Sequence, residues 1–166
     1  PENRFQECDI GALIENCKHM LLSVYSEATV EIHKEKEEMF APADPDLLEL
    51  AIMNLLDNAA KYSKPPAHII VSITETAEEM KISISDQGIG VPQEDIEQIF
   101  DRFYTVNKAH SRRLGGAGLG LSIVKTIIEK HEGTITVASI LGKGTTFTIH
   151  LPRIRHKEIR NRLRTT

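Results

Sequence analysis

The chain has 166 residues, of which 40% are hydrophobic and 27% charged, and its formal net charge is −4. This size and balance fit one globular domain with its own core, and the mildly negative charge gives no electrostatic reason to expect nucleic-acid binding. No apolar run approaches the roughly 18 residues that span a bilayer, and the N-terminus lacks the pattern of a signal peptide, so we expect a soluble domain.

The first half of the chain predicts two helices with two short strands between them. Asp9 is placed to cap a helix over residues 9–25, in which apolar residues recur at helical spacing. Those apolar residues are Ile10, Leu13, Ile14, Cys17, Leu21 and Val24. Residues 28–35 and 39–46 indicate strands, and Asp44 followed by Pro45 signals the start of a second helix over residues 46–63.

The two cysteines, Cys8 and Cys17, lie nine residues apart around the first predicted helix. Along a helix axis that spacing is about 13 Å, beyond the reach of a disulfide bond. Reduced thiols in an intracellular protein are therefore the simpler interpretation.

The second half predicts two hairpins and a third helix. Residues 68–74 and 80–85 form the first hairpin, and residues 133–140 and 145–151 form the second. The third helix, over residues 121–130, should turn four apolar residues inward: Ile123, Val124, Ile127 and Ile128. The elements together predict an α/β two-layer sandwich, with a mixed, mostly antiparallel sheet of about five strands and three main helices on one face.

A long connection over residues 90–118 separates the two hairpins, and only residues 95–103 within it show a weak helical pattern. Irregular segments of this length inside a compact domain are usually functional lids or disordered. We expect a mobile lid. Its charged residues, Lys108, His110, Arg112 and Arg113, either attract phosphate, dock a partner or are only solvated.

The second predicted helix carries a polar stripe. Asn58 and Lys61 point within about 40° of the direction of Asn54, because they follow it by four and seven residues. The amide oxygen of Asn58 suits Mg²⁺, and the ammonium of Lys61 suits phosphate. Tyr62 closes over a base or ribose, or belongs to the core. The competing interpretation of the whole stripe is an ordinary solvent face, which the glycine motifs downstream disfavour.

Three glycine motifs follow the stripe. DQGIG places Asp86 at a strand end, before Gly88 and Gly90, which let backbone approach a ligand closely, although an ordinary tight turn would have the same sequence. The third helix is preceded by Gly115, Gly116, Gly118 and Gly120. The free amides at the N-terminus of such a helix suit phosphates. GKGTTF predicts a hairpin turn in which Gly144 passes close to a base, and either Thr145 or Thr146 faces the pocket.

Two other nucleotide-binding patterns do not fit these glycines. No strand leads into them, and no acidic residue follows at the roughly 20-residue distance of a dinucleotide-binding turn. The chain also lacks the GxxxxGK[ST] string of a P-loop.

The four strings NLLDNAAKYS, DQGIG, RLGGAGLGLS and GKGTTF occur in this order along the chain. Together they resemble the catalytic, ATP-binding domain of sensor histidine kinases, in the GHKL superfamily that also contains gyrase, Hsp90 and MutL. The resemblance spans residues 5–152 and leaves a basic tail over residues 153–166. That tail is either a solvated extension or a contact for a partner or an anionic membrane.

The resemblance implies ATP with Mg²⁺ as the ligand. Asp86 then accepts the exocyclic amine of adenine, Asn58 binds the metal, and the string FDRFYT resembles a box in which Phe100 and Phe103 pack the lid against the core. Arg102 reaches the terminal phosphate or forms a surface salt bridge. The implied nucleotide-binding set is Asn58, Lys61, Tyr62, Asp86, Gly88, Gly90, Gly116, Gly118, Leu119 and Gly120.

The resemblance also indicates whether the bound ATP is hydrolysed or donates its phosphate to another group. Hydrolytic members carry a glutamate where this chain has Asn54, and an amide cannot act as a general base. We therefore expect the γ-phosphate to go to a histidine acceptor on a separate dimerising helical hairpin and then to a response regulator. None of the seven histidines fits an acceptor motif, and His131 with Gly133 indicates a helix end. This implies a cytoplasmic, monomeric fragment of a membrane-anchored sensor.

Three other functional classes stay open at this point. A conformational ATPase would need a catalytic glutamate at position 54. A nucleotide-sensing module without transfer activity is compatible with every pocket residue, and a serine kinase of the anti-sigma type is a minor alternative.

Overall fold

The computed structural model describes residues 4–102, 104 and 120–154. In chain order its elements are β1 (Gln6–Asp9), α1 (Ile10–Val24), β2 (Thr29–Lys34), β3 (Phe40–Ala43), α2 (Pro45–Lys61), β4 (His68–Glu75), β5 (Glu79–Ser85), α3 (Gly120–Lys130), β6 (Thr134–Ile140) and β7 (Gly144–Pro152). A short 3₁₀ helix, Gln93–Asp95, lies between β5 and α3.

The main sheet has five strands in the order β2-β4-β5-β7-β6. The β2–β4 pair is parallel, and the three other pairs are antiparallel. Each predicted hairpin forms, as β4–β5 and as β6–β7. The predicted mixed sheet of about five strands is therefore confirmed.

The two faces of this sheet differ in chemistry because side chains alternate along each strand. On one face, buried residues align across the strands, as in the row Val71, Ile84 and Phe147. Helix residues such as Ile52, Leu56 and Ile128 are buried in the same core. The other face carries hydroxyl pairs between β5 and β7, Ser83 with Thr148 at 3.1 Å and Ser85 with Thr146 at 2.7 Å. One apolar and one polar face make the predicted two-layer sandwich, which is confirmed.

The helix ends follow the predicted capping signals. Asp9 accepts a hydrogen bond from the Ala12 amide, and Asp44 accepts from the amides of Asp46 and Leu47. After α3, Glu132 adopts a positive φ of 59°, and the Gly133 amide donates to the Ile128 carbonyl at 3.0 Å, which is a Schellman ending. His131 and Gly133 thus belong to a helix cap, as predicted.

Two residues predicted to face inward are exposed. Val24 is 75% exposed because it is the last residue of α1, one turn beyond the buried Leu21. Ile123 is 39% exposed, since the buried side of α3 is set by Val124, Ile127 and Ile128.

Two local predictions were also incomplete. Strand β1 was not predicted, because its four residues show no apolar alternation and it forms by pairing with β3. A weak helical pattern was predicted over residues 95–103, of which the structure describes 95–102. These residues follow the 3₁₀ helix Gln93–Asp95 as turns, with i→i−3 bonds such as those from the Gln98 amide to the Asp95 carbonyl and from the Asp101 amide to the Gln98 carbonyl.

Candidate nucleotide site

The polar stripe predicted on α2 lies beside the start of α3. Asn54 and Asn58 are half-buried, and the Asn54 amide donates to the carbonyl of Leu50 at 2.9 Å. A Cβ atom at Gly120 would lie 3.4 Å from the amide oxygen of Asn54. The fold thus brings Gly120, the last glycine of the glycine-rich string, against the stripe.

Lys61, at the C-terminal end of this stripe, forms an ion pair with Asp57. The distance from Nζ of Lys61 to Oδ2 of Asp57 is 3.1 Å. The other carboxylate oxygen of Asp57 accepts a hydrogen bond from the Tyr25 hydroxyl, also at 3.1 Å. Burial, followed by the charge of Asp57, raises the pKa of Tyr25 to about 12, so its hydroxyl keeps its proton and remains a donor. Sequence reasoning missed Asp57 and Tyr25.

The DQGIG turn holds Asp86 by backbone hydrogen bonds. Oδ1 of Asp86 accepts from the amide of Gly88 at 2.8 Å and from the amide of Thr145 at 3.2 Å. Burial raises the pKa of Asp86 above its ordinary value, while the two amides oppose that shift. Both bonds end on the same oxygen, Oδ1, and Asp86 lines the cavity at the β6–β7 turn.

The glycines of the site lie against protein backbone. A Cβ atom at Gly88 would approach the Tyr62 carbonyl oxygen to 2.5 Å, and one at Gly90, which has a φ of +73°, would overlap the Ile140 carbonyl oxygen. At Gly144 it would overlap the carbonyl oxygen of Asp86. We expected these glycines to admit a ligand. In the structure the close approaches join α2, the DQGIG turn and the β6–β7 turn, and the approach of a ligand to these glycines stays a prediction.

Tyr62 links the end of α2 to the DQGIG turn. Its amide donates to the carbonyl of Asn58 at 3.2 Å, and its carbonyl accepts from the amide of Ile89 at 3.1 Å. Asn58 is therefore placed between two packed points, the contact of Asn54 with Gly120 and the bond from Tyr62 to Ile89.

The β6–β7 hairpin decides which threonine faces the helices. Thr145 is buried on the side of Phe147, whereas the Thr146 hydroxyl bonds to Ser85 on the opposite face. Ser139 braces this corner, because its hydroxyl accepts from the Val91 amide at 2.7 Å and lies 2.8 Å from the Thr145 hydroxyl. In the sequence, the alternating pattern of this strand does not distinguish Ser139 from an ordinary surface serine.

A cavity open to solvent lies next to this corner. It is lined by Asp86, Ala138, Ser139, Ile140, Lys143, Gly144, Thr145 and Thr146. Its walls include the carboxylate at the end of β5 but not the α2 stripe.

The lid is described only at its start. Phe100 packs edge-on against Phe147, with ring centroids 6.0 Å apart, which confirms its predicted contact with the core. Arg102 is exposed in the turn that follows. Several predicted residues lie outside the described residues: Phe103, Lys108, His110, Arg112, Arg113, Gly115, Gly116, Gly118, Leu119 and the tail over residues 155–166.

The ranges that the structure describes contain neither a metal-binding cluster nor a membrane-spanning helix. Within them, no group of three or more histidine, cysteine, aspartate or glutamate residues is arranged to hold a metal ion. In those ranges too, no helix combines the length and apolarity needed to cross a bilayer.

Comparisons with known proteins agree with this geometry. Residues 43–155 match the family model of histidine kinase-, DNA gyrase B- and HSP90-like ATPases. The chain is 45% identical over 117 residues to the sensor histidine kinase WalK of Bacillus subtilis, which covers 69% of this chain and 19% of WalK. It is 47% identical over 110 residues to the sensor protein SrrB of Staphylococcus aureus, covering 66% and 19%. The chain thus spans about a fifth of the length of these relatives.

Solved structures show the same fold over nearly the whole chain. The mycobacterial sensor histidine kinase MprB superposes with a TM-score of 0.79 at 30% identity, covering 89% of this chain and 97% of that one. The catalytic domain of histidine kinase ThkA superposes with a TM-score of 0.80 at 24% identity, covering 91% and 99%. With the motifs, the fold and the family match in agreement, the chain belongs to the family of histidine kinase-, DNA gyrase B- and HSP90-like ATPases, as an ATP-binding domain.

Proposed function

We propose that this domain binds ATP with Mg²⁺ and donates the γ-phosphate to a histidine on a separate dimerisation and phosphoacceptor domain of a bacterial sensor kinase. In that protein the domain works in the cytoplasm of a membrane-anchored sensor, and the phosphate passes on to a response regulator. The named relatives WalK and MprB, both sensor histidine kinases, support this class.

The observation that carries the proposal is the side-chain amide of Asn54 and the hydrogen bond that it makes. In hydrolytic members of the family a glutamate is expected at this position to activate water. Here the amide of Asn54 donates to the Leu50 carbonyl of its own helix at 2.9 Å. An amide group has no proton-accepting function near neutral pH, so bound ATP keeps its γ-phosphate until another acceptor arrives.

The remaining roles belong to the same proposal and are supported by the geometry of the turn and the stripe. Oδ2 of Asp86 accepts the exocyclic amine of adenine, while Oδ1 stays bonded to the amides of Gly88 and Thr145. Guanine presents a carbonyl in place of that amine, which would leave the carboxylate unpaired. Lys61 contacts phosphate oxygens as a point charge.

Asn58 provides a suitable ligand for Mg²⁺. Asn58 is half-buried on the polar stripe. Mg²⁺ takes oxygen ligands, keeps several waters and completes its shell with phosphates, so one protein oxygen fits. When bound, the ion neutralises phosphate charge.

The proposal is tested first by nucleotide binding. Calorimetry should show that the wild type prefers ATP to GTP by more than about tenfold, since a hydrogen bond to a charged group contributes roughly 1.5–3 kcal/mol. Asp86→Asn should lose that selectivity. Asn58→Ala should remove most of the Mg²⁺ dependence of ATP binding. Asp101→Asn, which removes the same charge from an exposed turn, serves as the control.

Transfer is tested with γ-labelled ATP. The chain alone should stay nearly unlabelled and release little phosphate. Addition of a dimeric helical hairpin that carries an acceptor histidine from a related sensor kinase should place label on the hairpin, slowly, because no covalent link raises the effective concentration. Equal affinity for ATP and GTP, or rapid phosphate release that survives Asn54→Ala, would contradict the proposal.

A further inference from the structure

Lys61 is held by a relay of two side chains, Asp57 and Tyr25. The Asp57 carboxylate lies between them, with Oδ1 accepting from the Tyr25 hydroxyl and Oδ2 3.1 Å from the Lys61 ammonium. Tyr25 caps the end of α1, and its hydrogen bond to α2 is partly buried. The relay thus joins α1 to the end of the polar stripe.

This arrangement differs from an ordinary helix-surface ion pair. An exposed ion pair between residues i and i+4 contributes little to stability, because both side chains move freely. The Asp57 side chain is 40% exposed and the Lys61 side chain only 26%, and the bond from Tyr25 fixes the carboxylate. In contrast, Asp46 at the other end of α2 pairs with Arg4 at 3.5 Å, and both side chains are largely exposed.

The backbone around Tyr25 is fixed as well. Its amide donates to the Leu21 carbonyl at 2.9 Å, and its carbonyl accepts from the Ala28 amide at 3.1 Å. These bonds therefore fix the backbone position from which the Tyr25 side chain reaches Asp57.

We propose that Asp57 and Tyr25 are positioning residues that orient the Lys61 ammonium toward the phosphates of the nucleotide. The inference rests on the proposed function, in which Lys61 contacts those phosphates. An ammonium group has three donor hydrogens, so Lys61 keeps its bond to Asp57 while it donates to a phosphate oxygen. Neither Asp57 nor Tyr25 touches the nucleotide in this arrangement.

Positioning predicts a separation between rate and affinity. Removal of the Asp57 charge frees Lys61 from its anchor, but it also removes a negative charge near the phosphates, and these two effects on ATP affinity oppose each other. The rate depends on the geometry of Lys61 and has no such compensation. We therefore expect Asp57→Asn to lower the rate of transfer to the acceptor hairpin at saturating ATP about tenfold, while the dissociation constant for ATP changes by less than about threefold.

The same measurements are made on Tyr25→Phe and Asp57→Glu. Tyr25→Phe removes only the hydroxyl and should lower the rate in the same direction, by a smaller factor. Asp57→Glu keeps a carboxylate four residues before Lys61 and should recover more of the rate than Asp57→Asn does. Unfolding midpoints of all variants show whether the fold is retained.

The decisive comparison repeats these changes in a Lys61→Met background. If Asp57 and Tyr25 act through the ammonium, Asp57→Asn and Tyr25→Phe should have no further effect on the rate there. Equal losses in both backgrounds would show a general structural role and would overturn the inference while the proposed function stands. Failure of the wild type to bind ATP would overturn the proposed function, and this inference with it.

Discussion

The two ends of α2 are held in different ways. At the N-terminal end, Asp44 is 8% exposed and caps the helix through the amides of Asp46 and Leu47. Its own amide donates at 3.2 Å to Nε2 of His131, which is 2% exposed and lies at the end of α3. The ring of Phe5 packs on that imidazole with centroids 4.7 Å apart. Buried polar groups here are bonded to each other, and they fix α2 to α3.

At the C-terminal end, the polar side chains of α2 are half-buried, and backbone contacts hold the helix in addition to the Tyr25–Asp57–Lys61 relay. Tyr62, Gly88 and Ile89 bring α2 against the DQGIG turn, and Gly90 lies against the β6–β7 turn. Asn58 sits between these packed points. The difference shows that backbone packing around Asn58 does not use its side chain, whereas the buried network around Asp44 and His131 uses its polar groups to hold the helices together.

The largest effect on stability should come from crowding the backbone at the C-terminal end. Gly90 and Gly142 both have positive φ angles, of 73° and 83°, but only Gly90 is packed against a carbonyl, that of Ile140. We expect Gly90→Ala to lower the free energy of unfolding by about 3 kcal/mol and Gly142→Ala by about 1 kcal/mol.

Urea denaturation of both variants measures this difference. No atom of the described residues lies within 4 Å of a Cβ added at Gly142. The stability lost in Gly142→Ala therefore reports the backbone conformation alone. Equal losses for the two variants would mean that the contact with Ile140 does not hold the turn.

An intermediate effect is expected from the N-terminal cap. Asp44→Ala removes the acceptor for two amides in a buried setting, and we expect a loss of about 2 kcal/mol, at the upper end for helix caps. Asp9→Ala, which removes the exposed cap of α1, is the matched control, with an expected loss of about 0.5 kcal/mol. If the control lost as much stability as Asp44→Ala, the buried network with His131 would not distinguish this end.

The smallest effects should appear as opposite pH dependences of two carboxyl groups. The hydrogen bond from Lys36 holds the pKa of Glu75 below its ordinary value of 4.5, and Arg153 adds to this shift. Its contribution to stability is therefore full above pH 4.5 and is lost as pH falls through the lowered pKa. Burial raises the pKa of Asp86 above 3.8, so its ionisation costs stability as pH rises from that value to the raised pKa.

Chemical denaturation between about pH 3 and pH 7 tests both signs. Glu75→Gln should be less stable than the wild type at neutral pH, with a difference that shrinks in acid. Asp86→Asn should show no such loss at neutral pH, which fits a residue placed for binding at the expense of stability. Parallel pH profiles for the two variants would contradict the assigned causes.

Much of the fold follows from local patterns in the sequence. Helical spacing of apolar residues predicted α1, α2 and α3 close to their observed bounds, since one buried face per helix is a local property. Alternation predicted both hairpins for the same reason. Asp9, Asp44 and Gly133 marked helix ends because a cap involves residues only a few positions apart.

Sequence spacing alone also places the residues of the proposed site: Asn54 where hydrolytic relatives are expected to carry a base, Asn58 and Lys61 on one stripe, and Asp86 before a glycine turn. Tertiary structure decided what lies next to them. Strand β1 exists only through its pairing with β3. Position 90 requires glycine because a Cβ atom there would overlap the carbonyl oxygen of Ile140, 50 residues away in the sequence. Tyr25 reaches Asp57 across 32 residues. Such neighbours depend on how helices and strands pack together, and no spacing within a single element records them.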